Sequence, residues 1–164
     1  MKILDERKIA QKIKRLAIEI LENNCEEKEV ILAGINTRGF RFAEMLCAEL
    51  QKISAIPFTL IHLRLNPADP LSRPVQSDVE PESLRGKVVI VVDDVANTGR
   101  TIFYACNPLR ATLPKKVEVA VLVDRTHKSF PVKVDYVGLS LATTLKENIQ
   151  VEFVDGDRLE AYLD

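Results

Sequence analysis

Residues Val88–Val92 read VVIVV, and Asp93 and Asp94 follow at once. Five consecutive β-branched apolar side chains point to alternating faces of a strand, so both faces must be covered. This one run demands a sheet with packed layers on either side. The chain can supply them: 164 residues, 46% of them hydrophobic, make a core of ordinary size without metal or disulfide support. Its three cysteines, Cys25, Cys47 and Cys106, are far apart and form no CxxC pair. They read as reduced thiols of an intracellular protein rather than as a zinc site or a disulfide framework.

The rest of the chain alternates between the two periodicities. Ile9, Ile13, Leu16 and Ile20 form one apolar stripe, which predicts a helix capped by Asp5 and ending near Asn23–Asn24. EVILAGI reads as a strand closed by NTRG. A second helix follows, with Phe40, Met45, Leu46 and Leu50 able to share a face. IPFTLIHLRL reads as a strand. The segment from about 66 to 87 holds four of the eight prolines and reads as an irregular arm or lid. After VVIVV, the stretch TIFYACNPLRATL is helical in pattern, with Pro108 expected to kink or end it. VEVAVLVD, VDYVGLSL and IQVEFVD are further strands, followed by a short tail. Strands alternating with helices predict a three-layer α/β/α fold with a mainly parallel central sheet, and one domain over 1–164. Met1–Arg7 leads directly into a charged helix, so the sequence predicts no secretory leader and a cytoplasmic location. The longest apolar run is far short of a membrane span. A net charge of −1 argues against indiscriminate nucleic-acid binding.

Chemistry concentrates where the valine-rich strand ends. Ligands of open α/β sheets bind beyond the C-terminal strand ends. Two adjacent carboxylates there make sense facing a crevice, where hydroxyls or a cation meet them. The next residues, Ala96, Asn97, Thr98, Gly99, Arg100 and Thr101, open a helix. Its N–H groups, the freedom of Gly99 and the hydroxyls of Thr98 and Thr101 suit an anion. Carboxylates beside a phosphate cradle point to a phosphorylated sugar. The bland alternative is a strand–helix turn capped by Asp94. Neither a Walker loop nor a Rossmann fingerprint is present.

VVIVVDDVANTGRT resembles the phosphoribosyl pyrophosphate signature of type I phosphoribosyltransferases. The resemblance implies that Asp93 and Asp94 hold the ribose hydroxyls and that Ala96–Thr101 hold the 5′-phosphate. GINTRGF stands where that family places its pyrophosphate loop, so Thr37, Arg38 and Gly39 are carried over to diphosphate binding. Arg38 would offer guanidinium donors and, with Asp93 and Asp94, is the candidate catalytic set. AVLVDRTHKSFPVKVDYVG, ILDE and GINTRG together resemble the pyrimidine-operon regulators that also act as uracil phosphoribosyltransferases, over most of the chain. That implies a base pocket at Val123, Asp124 and Arg125, with Mg²⁺ bound chiefly through substrate and with Asp93 and Asp94 as further candidate contacts. It also implies a small hood or arm region beside the sheet, and a homodimer or a higher homo-oligomer.

The sequence departs from the family in three places. The arm lacks an Arg-Asp-Asp stretch, which leaves Arg64 and Arg73 as stand-ins for a pyrophosphate contact. Thr126 replaces a glycine, and LSLATT lacks a lysine. The resemblance further implies binding of a messenger-RNA leader. Lys8, Lys12 and Arg15 share a helix face with Lys14 beside them, and His127, Lys128 and Lys133 could extend the patch. A charge run is also what a solvated helix face looks like. The function implied is transfer of ribose 5-phosphate from phosphoribosyl pyrophosphate to a nucleobase, uracil first. The alternatives are a nucleotide-sensing RNA-binding attenuator with little or no catalysis, or a purine phosphoribosyltransferase.

Overall fold

The computed structural model describes residues 1–144, 146–156 and 158–164. Its centre is a six-stranded sheet in the order β4-β3-β2-β5-β6-β7. The strands are β2 (Val30–Ile35), β3 (Phe58–Arg64), β4 (Gln76–Ser77), β5 (Val88–Ala96), β6 (Lys116–Arg125) and β7 (Tyr136–Leu141). All pairings are parallel except that of the short β4 with β3. Alternation along β5 sends Val88, Ile90 and Val92 to one hydrophobic cluster and Val89 and Val91 to the other. The valine run is therefore covered on both faces.

The first face carries α1 (Glu6–Asn24) and α2 (Asn36–Ile53). The α1 stripe is buried at Ile9, Ile13, Leu16 and Ile20, and the Lys8 N–H donates to the Asp5 carboxylate at 2.9 Å. In α2 the buried face is Gly39, Phe42, Ala43, Leu46, Cys47 and Leu50. Of the four residues expected there, Leu46 and Leu50 enter the core. Met45 lies at its margin, and Phe40 instead stacks on His62. The α2 helix also begins at Asn36, earlier than its apolar spacing predicts, so the NTRG loop is its first turn.

The opposite face is thinner. It carries α3 (Arg100–Ala105), α4 (Asn107–Arg110) and a 3₁₀ turn at Pro81–Leu84. The break between α3 and α4 falls just ahead of Pro108, whose ring cannot follow a regular helical turn. The arm is less irregular than its prolines suggest, because it holds β4 and the 3₁₀ turn.

A separate three-stranded antiparallel sheet, β1-β9-β8, forms a hood. It joins β1 (Lys2–Leu4), β8 (Ile149–Val154) and β9 (Arg158–Leu163). β9 is the middle strand, paired with β8 on one side and with β1, from the other end of the chain, on the other, so local periodicity does not announce β1 or β9. No helix among the described residues is long and apolar enough to cross a membrane.

Candidate active site

The strand order places the first βα connection on one side of β2 and the next on the other side of β5. The crevice between the C-terminal ends of β2 and β5 is thus the switch point at which such sheets bind ligands. A cleft of about 630 Å³ opens there. Thr37 and Arg38 enter it from the start of α2, Asp93 and Asp94 from β5, and Asn97 and Thr101 from the loop into α3. Pro67 of the arm and residues 148–151 of the hood complete the wall.

Asp93 and Asp94 lie within β5 rather than beyond it, because the strand runs on to Ala96 and pairs Ala96 with Asp124 of β6. The Asp94 N–H donates to the Asp93 carboxylate at 2.9 Å. Asp93 is only 7% exposed. Burial, and then the neighbouring Asp94 charge, push its carboxyl well above the ordinary carboxylate range, with Arg38 pulling the other way. The pair is therefore unequal, with Asp93 biased toward its protonated form beside a half-buried Asp94. Together they can donate to one hydroxyl oxygen and accept from another.

Gly39 is the hinge between two of these elements. A Cβ there would lie 2.8 Å from the Val92 carbonyl and 3.0 Å from the Asp93 carboxylate. Only glycine lets the first turn of α2 approach the tip of β5 this closely. Gly34 meets the same demand on β2, where a Cβ would stand 2.4 Å from the Phe40 Cα.

The loop before α3 forms a cup of about 60 Å³ lined by Asp93 and Val95–Ile102. Gly99 sits in the left-handed region at φ 84 as the residue that caps α3. The Asn97 Oδ1 is buried without a hydrogen-bond partner. The Thr98 carbonyl accepts from the N–H groups of Ser129 (3.0 Å) and Phe130 (3.2 Å), so the 126–132 segment braces this cup from outside. Sequence reasoning assigned no such role to that segment.

Other candidates fall elsewhere. The Val123 side chain is fully buried in the core, which leaves only its backbone for a ligand. Asp124 is bound by Lys128 at 2.6 Å, and Arg125 donates to the Thr144 carbonyl at 2.6 Å. None of the three lines the cleft. Lys128 sits against the phosphate cup, 3.3 Å from where a Gly99 Cβ would be, rather than with the α1 lysines. Arg64 is engaged by Asp78 at 3.1 Å and shares a hollow with Arg73 beside the cleft. On α1, Lys8, Lys12 and Arg15 line a groove of about 460 Å³. Burial and the charges of Arg15 and Lys8 lower the pKa of Lys12. Arg15 is partly spent on the Gly138 carbonyl at 2.8 Å. Lys14, His127 and Lys133 are exposed. Among the described residues no cluster of three or more His, Cys, Asp or Glu could hold a metal alone.

The sequence profile of the phosphoribosyl transferase domain matches residues 1–155. The chain belongs to the phosphoribosyltransferase family. Among its relatives is the bifunctional protein PyrR of Bacillus pumilus, 35% identical over 168 residues that span 95% of this chain and 92% of the relative. The bifunctional protein PyrR of Streptomyces coelicolor is 34% identical over 171 residues, 98% of this chain and 87% of the relative. A hypoxanthine-guanine phosphoribosyltransferase from Bacillus anthracis shares the fold with a TM-score of 0.71 and 22% identity, over 86% of this chain and 82% of that one. So does the Trypanosoma cruzi hypoxanthine phosphoribosyltransferase solved with its product IMP (TM-score 0.71, 23% identity, 86% and 76%). The three-layer architecture with its mainly parallel sheet is the type I phosphoribosyltransferase fold.

Proposed function

We propose that the cleft transfers the ribose 5-phosphate unit of phosphoribosyl pyrophosphate to uracil, releasing diphosphate and forming UMP. One observation carries this reading: Arg38, the Asp93–Asp94 pair and the 97–101 cup face a single cleft. In it the cup and the helix N–H groups take the 5′-phosphate, Asp93 and Asp94 take the ribose 2′ and 3′ hydroxyls, and Thr37 and Arg38 take the diphosphate. Transfer through an oxocarbenium-like sugar asks the protein to position, stabilise the leaving group and exclude water. The arm serves the last need: Pro67 walls the cleft, and the Arg100 guanidinium reaches the Ala68 carbonyl at 3.5 Å.

The donor set suits Mg²⁺ only in one way. Two carboxylates, one of them biased toward protonation, are too few to cage the ion, so Asp93 and Asp94 would touch it while substrate oxygens hold it. Bound there, it would neutralise charge developing on the diphosphate.

The base belongs against the hood. The backbone of Asn148 exchanges both hydrogen bonds with Asp164, each 2.9 Å. By antiparallel alternation, the N–H and C=O of Ile149 and Val151 point away from β9. β8 is an edge strand, and both residues line the cleft. This edge offers a donor and an acceptor side by side, the complement of the N–H/C=O edge of an oxo-pyrimidine. An oxo-purine presents a similar edge, so a base panel decides between them. The test incubates the protein with phosphoribosyl pyrophosphate, Mg²⁺ and that panel. Pyrophosphate release with uracil is expected, and release with no base overturns the catalytic reading.

The groove at Lys8 and Lys12 favours a second reading, in which the same pocket senses nucleotides while α1 binds an RNA leader. The relatives' name, bifunctional protein PyrR, accords with two activities. Leader-RNA binding that changes with UMP supports it, and no binding at low salt removes it. Self-association belongs to the proposal, and sedimentation tests it.

A further inference from the structure

We propose that His62 is a positioning residue for the diphosphate loop and that it latches this loop to the base of the arm. The inference rests on the reading of Thr37 and Arg38 as diphosphate ligands. Asn36, the residue before them, occupies the left-handed region at φ 50. A residue with a side chain reaches that region at a cost, and stays there when its surroundings hold it. Two contacts hold Asn36. The His62 Nε2 lies 2.8 Å from the Asn36 carbonyl, and because a carbonyl only accepts, this nitrogen carries the proton. The Asn36 Oδ1 accepts from the Leu65 N–H at 3.0 Å. Each contact is supplied by β3 or by the residue that follows it.

His62 is itself fixed from two sides. Its ring stacks on Phe40, centroids 4.4 Å apart and planes 13° from parallel. Its backbone N–H donates to Asp78 at 2.9 Å, and Asp78 also accepts from Arg64 at 3.1 Å. Asp78 lies within the arm just after β4, and Leu65 directly precedes the arm. A continuous set of contacts therefore runs from the start and the middle of the arm, through the imidazole, to the carbonyl that precedes Thr37 and Arg38. Release of the His62 hydrogen bond frees the turn that aims Arg38 into the cleft. The hood edge proposed to receive the base is not part of this set.

The experiment compares His62→Phe, which keeps the stack and loses the donor, with His62→Gln, which keeps a donor. Calorimetry measures binding of phosphoribosyl pyrophosphate with Mg²⁺, and kinetics give KM for both substrates. His62→Phe is expected to weaken phosphoribosyl pyrophosphate binding about tenfold and leave KM for the base unchanged. His62→Gln should stay near wild type. Adding Asn36→Gly to His62→Phe removes the cost of the positive φ but also the acceptor of the Leu65 N–H, so it should recover only part of the loss. Unchanged phosphoribosyl pyrophosphate affinity in His62→Phe overturns the proposal, as does an equal rise in KM for the base. If the wild-type protein binds no phosphoribosyl pyrophosphate, the reading of the cleft itself falls, and the latch with it.

Discussion

The two ends of the central sheet carry the same kinds of side chain and treat them in opposite ways. At the N-terminal ends, the Tyr136 hydroxyl donates to Glu118 at 2.8 Å, and Asn24 donates to the same carboxylate at 3.2 Å. Lys116 stands 3.3 Å from Glu118, and Lys87 pairs with Glu29 at 2.7 Å. Acids there meet cations or hydroxyls, and Lys87 holds the Glu29 carboxyl below its ordinary range. At the C-terminal ends of β2 and β5, two acids meet each other. Among the described residues neither Asp94 nor Arg38 forms an ion pair, and the Asn97 Oδ1 is buried without a partner. The first arrangement closes the fold. The second leaves polar groups facing one cleft, and a ligand is what completes them.

The sharpest way to break this comparison is to take charge from the open end. Asp94→Asn should lower pyrophosphate release about a hundredfold or more, with the melting temperature unchanged. Equal activity in the variant would remove the ribose role of Asp94. Gly39→Ala comes next. Its methyl group would stand 2.8 Å from the Val92 carbonyl, forcing α2 away from β5. A cost of about 1–3 kcal/mol is expected, together with loss of turnover. Chemical denaturation and the pyrophosphate assay check the two halves separately.

How much of this was legible depended on the distance over which each feature is decided. The VVIVV strand, the α1 stripe with its Asp5 cap and the break at Pro108 are local, and the sequence alone predicts them. So is the string from Asp93 to Thr101. The grouping of that string with Thr37 and Arg38 came through resemblance, and the β2–β5 pairing supplies its physical reason. The hood was legible only in part: IQVEFVD reads as a strand and the resemblance implies a small hood or arm, but β1 and β9 lie at opposite ends of the chain and neither has an apolar face long enough to declare itself. The proposed base wall was equally hidden: Val123 is buried in the core, while the β8 edge lines the cleft. His62 carried no local signal either. Its importance depends on the positive φ of Asn36, which a sequence shows only faintly, through an asparagine ahead of the turn.

The closed end should behave as stability without function. Tyr136 is 1% exposed, and burial followed by its bond to Glu118 drives its hydroxyl pKa upward. Tyr136→Phe removes the bond it donates to Glu118 and the 3.3 Å bond it accepts from Asn24, but leaves Glu118 with Asn24 and Lys116. A loss of about 1–2 kcal/mol in denaturant unfolding is expected, with pyrophosphate release intact. A fall in turnover matching that of Asp94→Asn would erase the division between the two ends.

The smallest expected effect has the opposite sign, and it bears on why the open end exists. The Asp93 carboxyl is raised above its ordinary value of 3.8 by burial and by Asp94. Between that value and the raised one, the folded protein keeps a proton that the unfolded chain has released. The unfolded state then binds fewer protons, so stability falls as pH rises through the window and returns as pH falls. This is the reverse of a salt-bridged acid such as Glu29, whose contribution is lost toward low pH. Asp93→Asn removes the ionisation and should stabilise the protein at neutral pH by about 1 kcal/mol while abolishing transfer. On acidification toward the ordinary value of 3.8, the melting temperature of the wild type should rise relative to that of the variant. A variant that melts lower, or that keeps the wild-type pH slope, would mean that the carboxyl is not the strained group. In that case the open end would be paying no stability for its chemistry.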